Sequence, residues 1–89
     1  MEIEEMRVDG NAAGGALSEL FGGVEMTTAV RTCPGCVRTS TLAEHVVYTQ
    51  AAGMVLRCPH CGDVGLTLIS GAETRIVTLE GTLRVPAAG

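Results

Sequence analysis

Cys33-Pro34-Gly35-Cys36 and Cys58-Pro59-His60-Cys61-Gly62 are the two stretches that decide how this chain folds. Two residues between cysteines let one reverse turn aim both sulfurs at a single ion. Two such turns supply four soft ligands, the set of a closed tetrahedral zinc site. The expected ligands are therefore Cys33, Cys36, Cys58 and Cys61, holding one structural zinc ion. Pro34 and Pro59 set φ where each turn begins. The remaining backbone N–H groups of each turn can point at the sulfurs and favour the thiolates. Gly62 can take the positive φ that completes the second turn. The first turn has Val37 at that place, a poor residue for positive φ. Gly35 is therefore expected to take the unusual conformation there. The 21 residues from Val37 to Arg57 are long enough for a β-hairpin between the turns. Four cysteine ligands leave no open position for water on the metal, so no enzyme activity is expected.

Size points the same way. A chain of 89 residues is read as one domain, 1–89, with one Phe, one Tyr and no Trp to build its core. A domain so small is marginal without help, and a structural metal is a usual remedy. Metal binding can contribute roughly 10 to 16 kcal/mol to folding at neutral pH. The start, Met1-Glu2-Ile3-Glu4-Glu5-Met6, is acidic and lacks the basic and apolar segments of a signal peptide. Both Met1 and Met6 are candidate starts. No stretch is apolar for long enough to span a bilayer. A cytoplasmic location is therefore expected, and there thiols stay reduced and paired C-x-x-C turns favour metal over disulfides. Six acids and one base lie in residues 1–25, whereas four acids and five arginines lie in 26–89.

Along the chain, residues 1–8 read as a charged, disordered start. Residues 9–23 read as a helix, capped by Asp9-Gly10-Asn11, with Leu17, Leu20 and Phe21 on one face and Gly22-Gly23 ending it. Residues 27–85 read as the ribbon. Within it, 27–32 form a strand into the first turn, 41–49 a strand around Val46-Val47-Tyr48, and 50–53 a hairpin connection. Met54 to Arg57 lead back to the second turn. Val64, Leu66 and Leu68 alternate with Gly65, Thr67 and Ile69, and Arg75, Val77 and Leu79 alternate with Ile76, Thr78 and Glu80. Gly81 marks a bulge or turn before Leu83 and Val85, and 86–89 are a tail. The fold class is thus small α+β and β-rich: a zinc ribbon with two cysteine knuckles on β-hairpins, an antiparallel sheet and one short N-terminal helix. A short helix is unstable alone, so Phe21 is expected to pack on the sheet, against some of Met54, Leu66, Leu68, Val77 and Leu79.

The two CPxC turns with a hairpin between and a strand pair after resemble the zinc ribbons. A closer resemblance covers nearly the whole chain. Val8-Asp9-Gly10-Asn11-Ala12, Leu17-Ser18-Glu19-Leu20-Phe21, His45-Val46-Val47-Tyr48 and Leu56-Arg57-Cys58-Pro59 resemble a family of short bacterial proteins of actinobacterial type, a domain of unknown function. That resemblance implies a ribbon fold and four cysteine ligands, and no activity.

Other uses of these residues rank lower. Cys-Pro-His-Cys serves in thioredoxin-fold oxidants, but only at a helix N-terminus, and a strand follows Gly62 here. A rubredoxin-like electron carrier would hold iron in the same four thiolates, yet shields it with several aromatics that this chain lacks. Arg31, Arg38 and Arg57 flank the turns and could make a basic spot for nucleic acid. Against a net charge of −4 and no Lys, they read rather as solvated arginines beside a dianionic metal site. His60 reads as an exposed turn residue and His45 as a satisfied or exposed one rather than a ligand. Glu44 and Asp63 are the carboxylates nearest the turns. The expectation is a structural zinc module for protein interaction or adaptor work, with an unknown protein partner, no membrane association and nucleic acid ranked below protein as a partner.

Overall fold

The alternation around Leu66 and Leu68 organises the molecule. In the computed structural model, which describes residues 6–9, 13–50 and 53–86, it forms strand β6 (Val64–Ser70). Around it lies a five-stranded sheet in the order β1-β4-β5-β6-β7, with every neighbouring pair antiparallel. Its other strands are β1 (Met6–Asp9), β4 (Val46–Gln50), β5 (Gly53–Arg57) and β7 (Arg75–Leu79). A second, three-stranded sheet has the order β3-β2-β8, from β2 (Val30–Thr32), β3 (Thr39–Thr41) and β8 (Thr82–Arg84). A helix, α1 (Gly14–Leu20), precedes β2.

Register explains where the core sits. Val47 lies opposite Leu56, Leu56 opposite Leu66 and Leu66 opposite Leu79, while Met54, Leu68 and Val77 form the next row. Cross-strand partners share a face, so these rows make one apolar surface. Val47, Leu56, Leu66 and Leu68 are buried there beneath Ala13, Leu17, Met26, Ala29 and Leu42. Each fully buried Leu contributes about 1.5–3 kcal/mol. Phe21 is half-buried and packs against this cluster, as do Leu20 and Val24. Val77 and Leu79, which were candidate contacts of Phe21, remain 38% exposed at the end of their rows.

Several boundaries differ from the sequence reading. Met6 to Asp9 form a strand against β4, where a disordered start was expected; residues 1–5 and 10–12 lie outside the described residues. The open ladder of β4 takes up these backbone groups. With Asp9 in β1, the helix begins only at Gly14, has no side-chain cap and spans seven residues. It ends as expected: Gly22 and Gly23 have positive φ, and the Gly23 N–H donates to the Ser18 carbonyl at 2.7 Å. The strand expected over 27–32 is confined to β2. The one expected over 41–49 is broken by a 3-10 turn, Leu42–Glu44. Thr41 and Glu44 cap that turn reciprocally, with the Thr41 N–H donating to Glu44 Oε1 at 2.8 Å. After Gly81 the chain leaves the large sheet, and β8 pairs with β2. Of the expected tail, Pro86 is described and 87–89 are not.

Candidate metal centre

Each cysteine turn closes an antiparallel hairpin, the first joining β2 to β3 and the second β5 to β6. The two turns repeat one hydrogen-bond pattern. The Val37 N–H donates to the Cys33 carbonyl at 2.8 Å and the Gly62 N–H to the Cys58 carbonyl at 2.9 Å. The Cys33 N–H donates to the Arg38 carbonyl at 3.0 Å and the Cys58 N–H to the Asp63 carbonyl at 2.8 Å. Gly62 has φ +82° and Val37 φ +65°, so the equivalent position is left-handed in both turns. This corrects the expectation for Gly35: the turn geometry forces Val37, and not Gly35, into the unfavourable region.

The four sulfurs meet between the hairpins. All lie within 4.8 Å of one another; Cys33 Sγ is 3.6 Å from Cys61 Sγ, and Cys36 Sγ is 3.7 Å from Cys58 Sγ. A tetrahedron of zinc–sulfur bonds about 2.3 Å long has edges of about 3.8 Å. The donor set and its spacing therefore suit a tetrahedral thiolate-bound ion. Cys33 and Cys58 are buried, Cys36 is half-buried and Cys61 exposed.

The backbone prepares two thiols for ionisation. The N–H groups of Cys36 and Gly35 and the neighbouring thiols lower Cys33 to about 6, against the opposing effect of burial. Burial raises Cys58, but the N–H groups of Cys61 and His60 outweigh it and lower it; the His60 N–H lies 3.4 Å from its sulfur. The Asp63 N–H favours a thiolate at Cys61. Desolvation and the surrounding thiols push it up to about 12. Four thiolates cannot share this space without a cation to hold them. A metal bound by the four cysteines would supply that charge and displace the remaining protons.

Arg31 departs most from the sequence reading. It is 1% exposed, not solvated. Its Nε donates to the Glu80 carbonyl at 2.9 Å and its Nη1 to His45 Nε2 at 3.2 Å, while Nη2 is buried with no hydrogen-bond partner. Its guanidinium packs against Gly65, in the space that a Cβ would need. His45 is also buried, and its Nδ1 donates to the Thr41 carbonyl at 2.8 Å. Since Arg31 can only donate, His45 Nε2 must accept, and the ring is neutral. Burial first, and then the Arg31 charge, lower the His45 pKa below its ordinary value.

The other candidates stay at the surface. His60 is exposed on the second turn. Arg57 donates to the Gly62 carbonyl at 3.0 Å and stacks 5.7 Å from the Tyr48 ring centre. The Asp63 carboxylate lies against Gly35, between the turns. Among the described residues no helix is long and apolar enough to cross a membrane.

Residues 3–88 match a family of unknown function (DUF6510), and the chain belongs to it. No curated protein and no solved structure matches the chain.

Proposed function

We propose that this family member is a zinc ribbon whose single zinc ion, held by four cysteines, is structural, and that the chain works as a cytoplasmic protein-interaction or adaptor module rather than an enzyme. The observation that carries the zinc reading is the convergence of Cys33, Cys36, Cys58 and Cys61 from two hairpins onto one cluster of sulfurs, all within 4.8 Å of one another. Four protein ligands fill a tetrahedral ion and leave no place for water or substrate. A nucleic-acid role is weakened by Arg31, one of the three arginines that could have formed a basic spot, because it is buried. Arg57, a second, is engaged with Tyr48 and the Gly62 carbonyl.

Metal analysis with an optical spectrum tests this reading. The expected result is one zinc per chain, no visible colour, and on cobalt substitution the intense charge-transfer bands of four thiolates. Red, reversibly reducible iron in protein purified from its native host would instead establish an electron carrier.

A further inference from the structure

The four sulfurs are not equally placed. Cys33 and Cys58, which follow directly on β2 and β5, are 1% and 2% exposed. Cys36 is half-buried and Cys61 is exposed. Gly62 follows Cys61 with no side chain to shelter its sulfur, and a Cβ there would meet nothing within 4 Å; Val37 follows Cys36. Backbone support is unequal in the same sense. The Cys33 sulfur faces the N–H groups of Gly35 and Cys36, and the Cys58 sulfur those of His60 and Cys61. For Cys61 the Asp63 N–H is the one such donor among the described residues. Each N–H draws charge from the sulfur it faces and so lowers its reactivity as a nucleophile.

The partner of Cys61 lies beneath it. Cys33 Sγ is 3.6 Å from Cys61 Sγ, across the gap between the two turns, and is buried. An oxidant arriving from solvent therefore meets Cys61 first, while the sulfur that can resolve it waits below, out of the oxidant's reach. An accessible thiolate beside a resolving cysteine is the arrangement of an oxidant-responsive pair.

We propose that Cys61 is the point at which peroxides attack the metal centre, and that a disulfide between Cys61 and Cys33 then releases the ion. The inference rests on the zinc reading above and adds a means of regulating that site. In the loaded site Cys61 is a thiolate, as metal binding requires. Its sulfur attacks one oxygen of hydrogen peroxide; the S–O bond forms, the O–O bond breaks and hydroxide leaves. The Cys33 thiolate then attacks the Cys61 sulfur; the S–S bond forms, the S–O bond breaks and a second hydroxide leaves. Two electrons pass from the two sulfurs to the peroxide. Only Cys36 and Cys58 then remain as ligands, too few to close a tetrahedral site. The new bond runs from one turn to the other, so that the disulfide, and not the ion, joins the hairpins.

Hydrogen peroxide added to the zinc-loaded full chain tests this. Zinc release is followed with a metal-sensitive dye too weak to strip the intact site, and the disulfide is mapped by mass spectrometry after alkylation of the remaining thiols. Trypsin separates the two turns, because Arg38 and Arg57 lie between them. The expected result is one zinc released per peroxide consumed, with Cys33 joined to Cys61 and with Cys36 and Cys58 alkylated. Cys61→His and Cys36→His each keep four ligands of kinds that zinc accepts. Cys61→His should release zinc about ten-fold more slowly than Cys36→His. Retention of zinc in a large excess of peroxide would overturn the inference and leave the metal reading intact. So would a first disulfide between any other pair, or equal release from the two variants. A chain that binds no zinc before peroxide is added would overturn the metal reading and this inference with it, so the two failures are told apart.

Discussion

Gly65→Ala tests the unexpected centre of the fold. A Cβ at Gly65 would collide with Arg31 Cζ and lie 2.5 Å from Nη1 and 2.7 Å from Nε. No side chain tolerates such contacts, so the guanidinium must lift from the strand. Doing so breaks its hydrogen bonds to the Glu80 carbonyl and to His45. Overpacking of this kind costs about 1–3 kcal/mol. Each lost bond from a charged donor adds about 1.5–3 kcal/mol, part of which the arginine recovers by reaching water. A net loss of about 3–5 kcal/mol follows, measured by urea denaturation at fixed zinc concentration. The decisive measurement is a double-mutant cycle. In an Arg31→Ala background the space above Gly65 is open, and the added methyl should cost less than about 1 kcal/mol. An equal cost of Gly65→Ala in both backgrounds would refute the argument, because the guanidinium would then not be what the methyl displaces.

Four further outcomes are expected. Gly15→Ala, in the helix with nothing within 4 Å of the new Cβ, should stabilise by about 1 kcal/mol in the same denaturation assay. Val37→Gly relieves a left-handed β-branched residue that is 75% exposed. It should raise stability by about 0.5–1 kcal/mol after the entropy of the glycine is subtracted, and unchanged or lower stability would count against strain in the first turn. The His45 pKa is depressed in the folded chain relative to an unfolded value of 6.5, so its contribution is full above pH 6.5 and is lost as pH falls below it. Zinc-saturated wild type should therefore lose up to about 1.4 kcal/mol per pH unit more than His45→Gln in that range, read from thermal melts. Finally, a strong chelator or Cys58→Ser should unfold residues 33–85, and far-UV and near-UV circular dichroism unchanged after proven zinc loss would contradict this.

What could be read from the chain were features encoded over a few residues. The cysteine turns declare themselves by spacing alone, and the alternation in 64–79 places β6 and β7 without knowledge of their neighbours. The Thr41-x-x-Glu44 signature was equally local; it marks a helical turn and divides what alternation alone suggests is one strand. Arg31 lay beyond this reach. Its burial is settled by the Glu80 carbonyl, 49 positions away, by His45, and by the missing side chain of Gly65. Beside Arg38 and Arg57 in the sequence, nothing distinguishes it from a surface residue. β1 was hidden for a related reason: the backbone of β4 recruits it, and the alternation of Met6-Arg7-Val8-Asp9 spans only four residues beside an acidic stretch.

The first cysteine turn belongs to the small sheet and the second to the large one, and no backbone ladder joins the two sheets among the described residues. Side chains must hold them together. Besides the apolar core, the sulfur cluster ties them, and so does Arg31, reaching from β2 to Gly65 of β6 and to Glu80. Arg31 is a poor tie by itself. No carboxylate pairs with it among the described residues, and one of its nitrogens has no partner, so its burial costs free energy that neighbouring interactions must offset. If the ion is removed, repulsion among thiolates, or protonation of them, separates the turns. The guanidinium then has a short path to water and little reason to stay buried. Each tie therefore depends on the other, and this is why metal loss is expected to open both sheets in a single transition rather than to melt the small sheet alone.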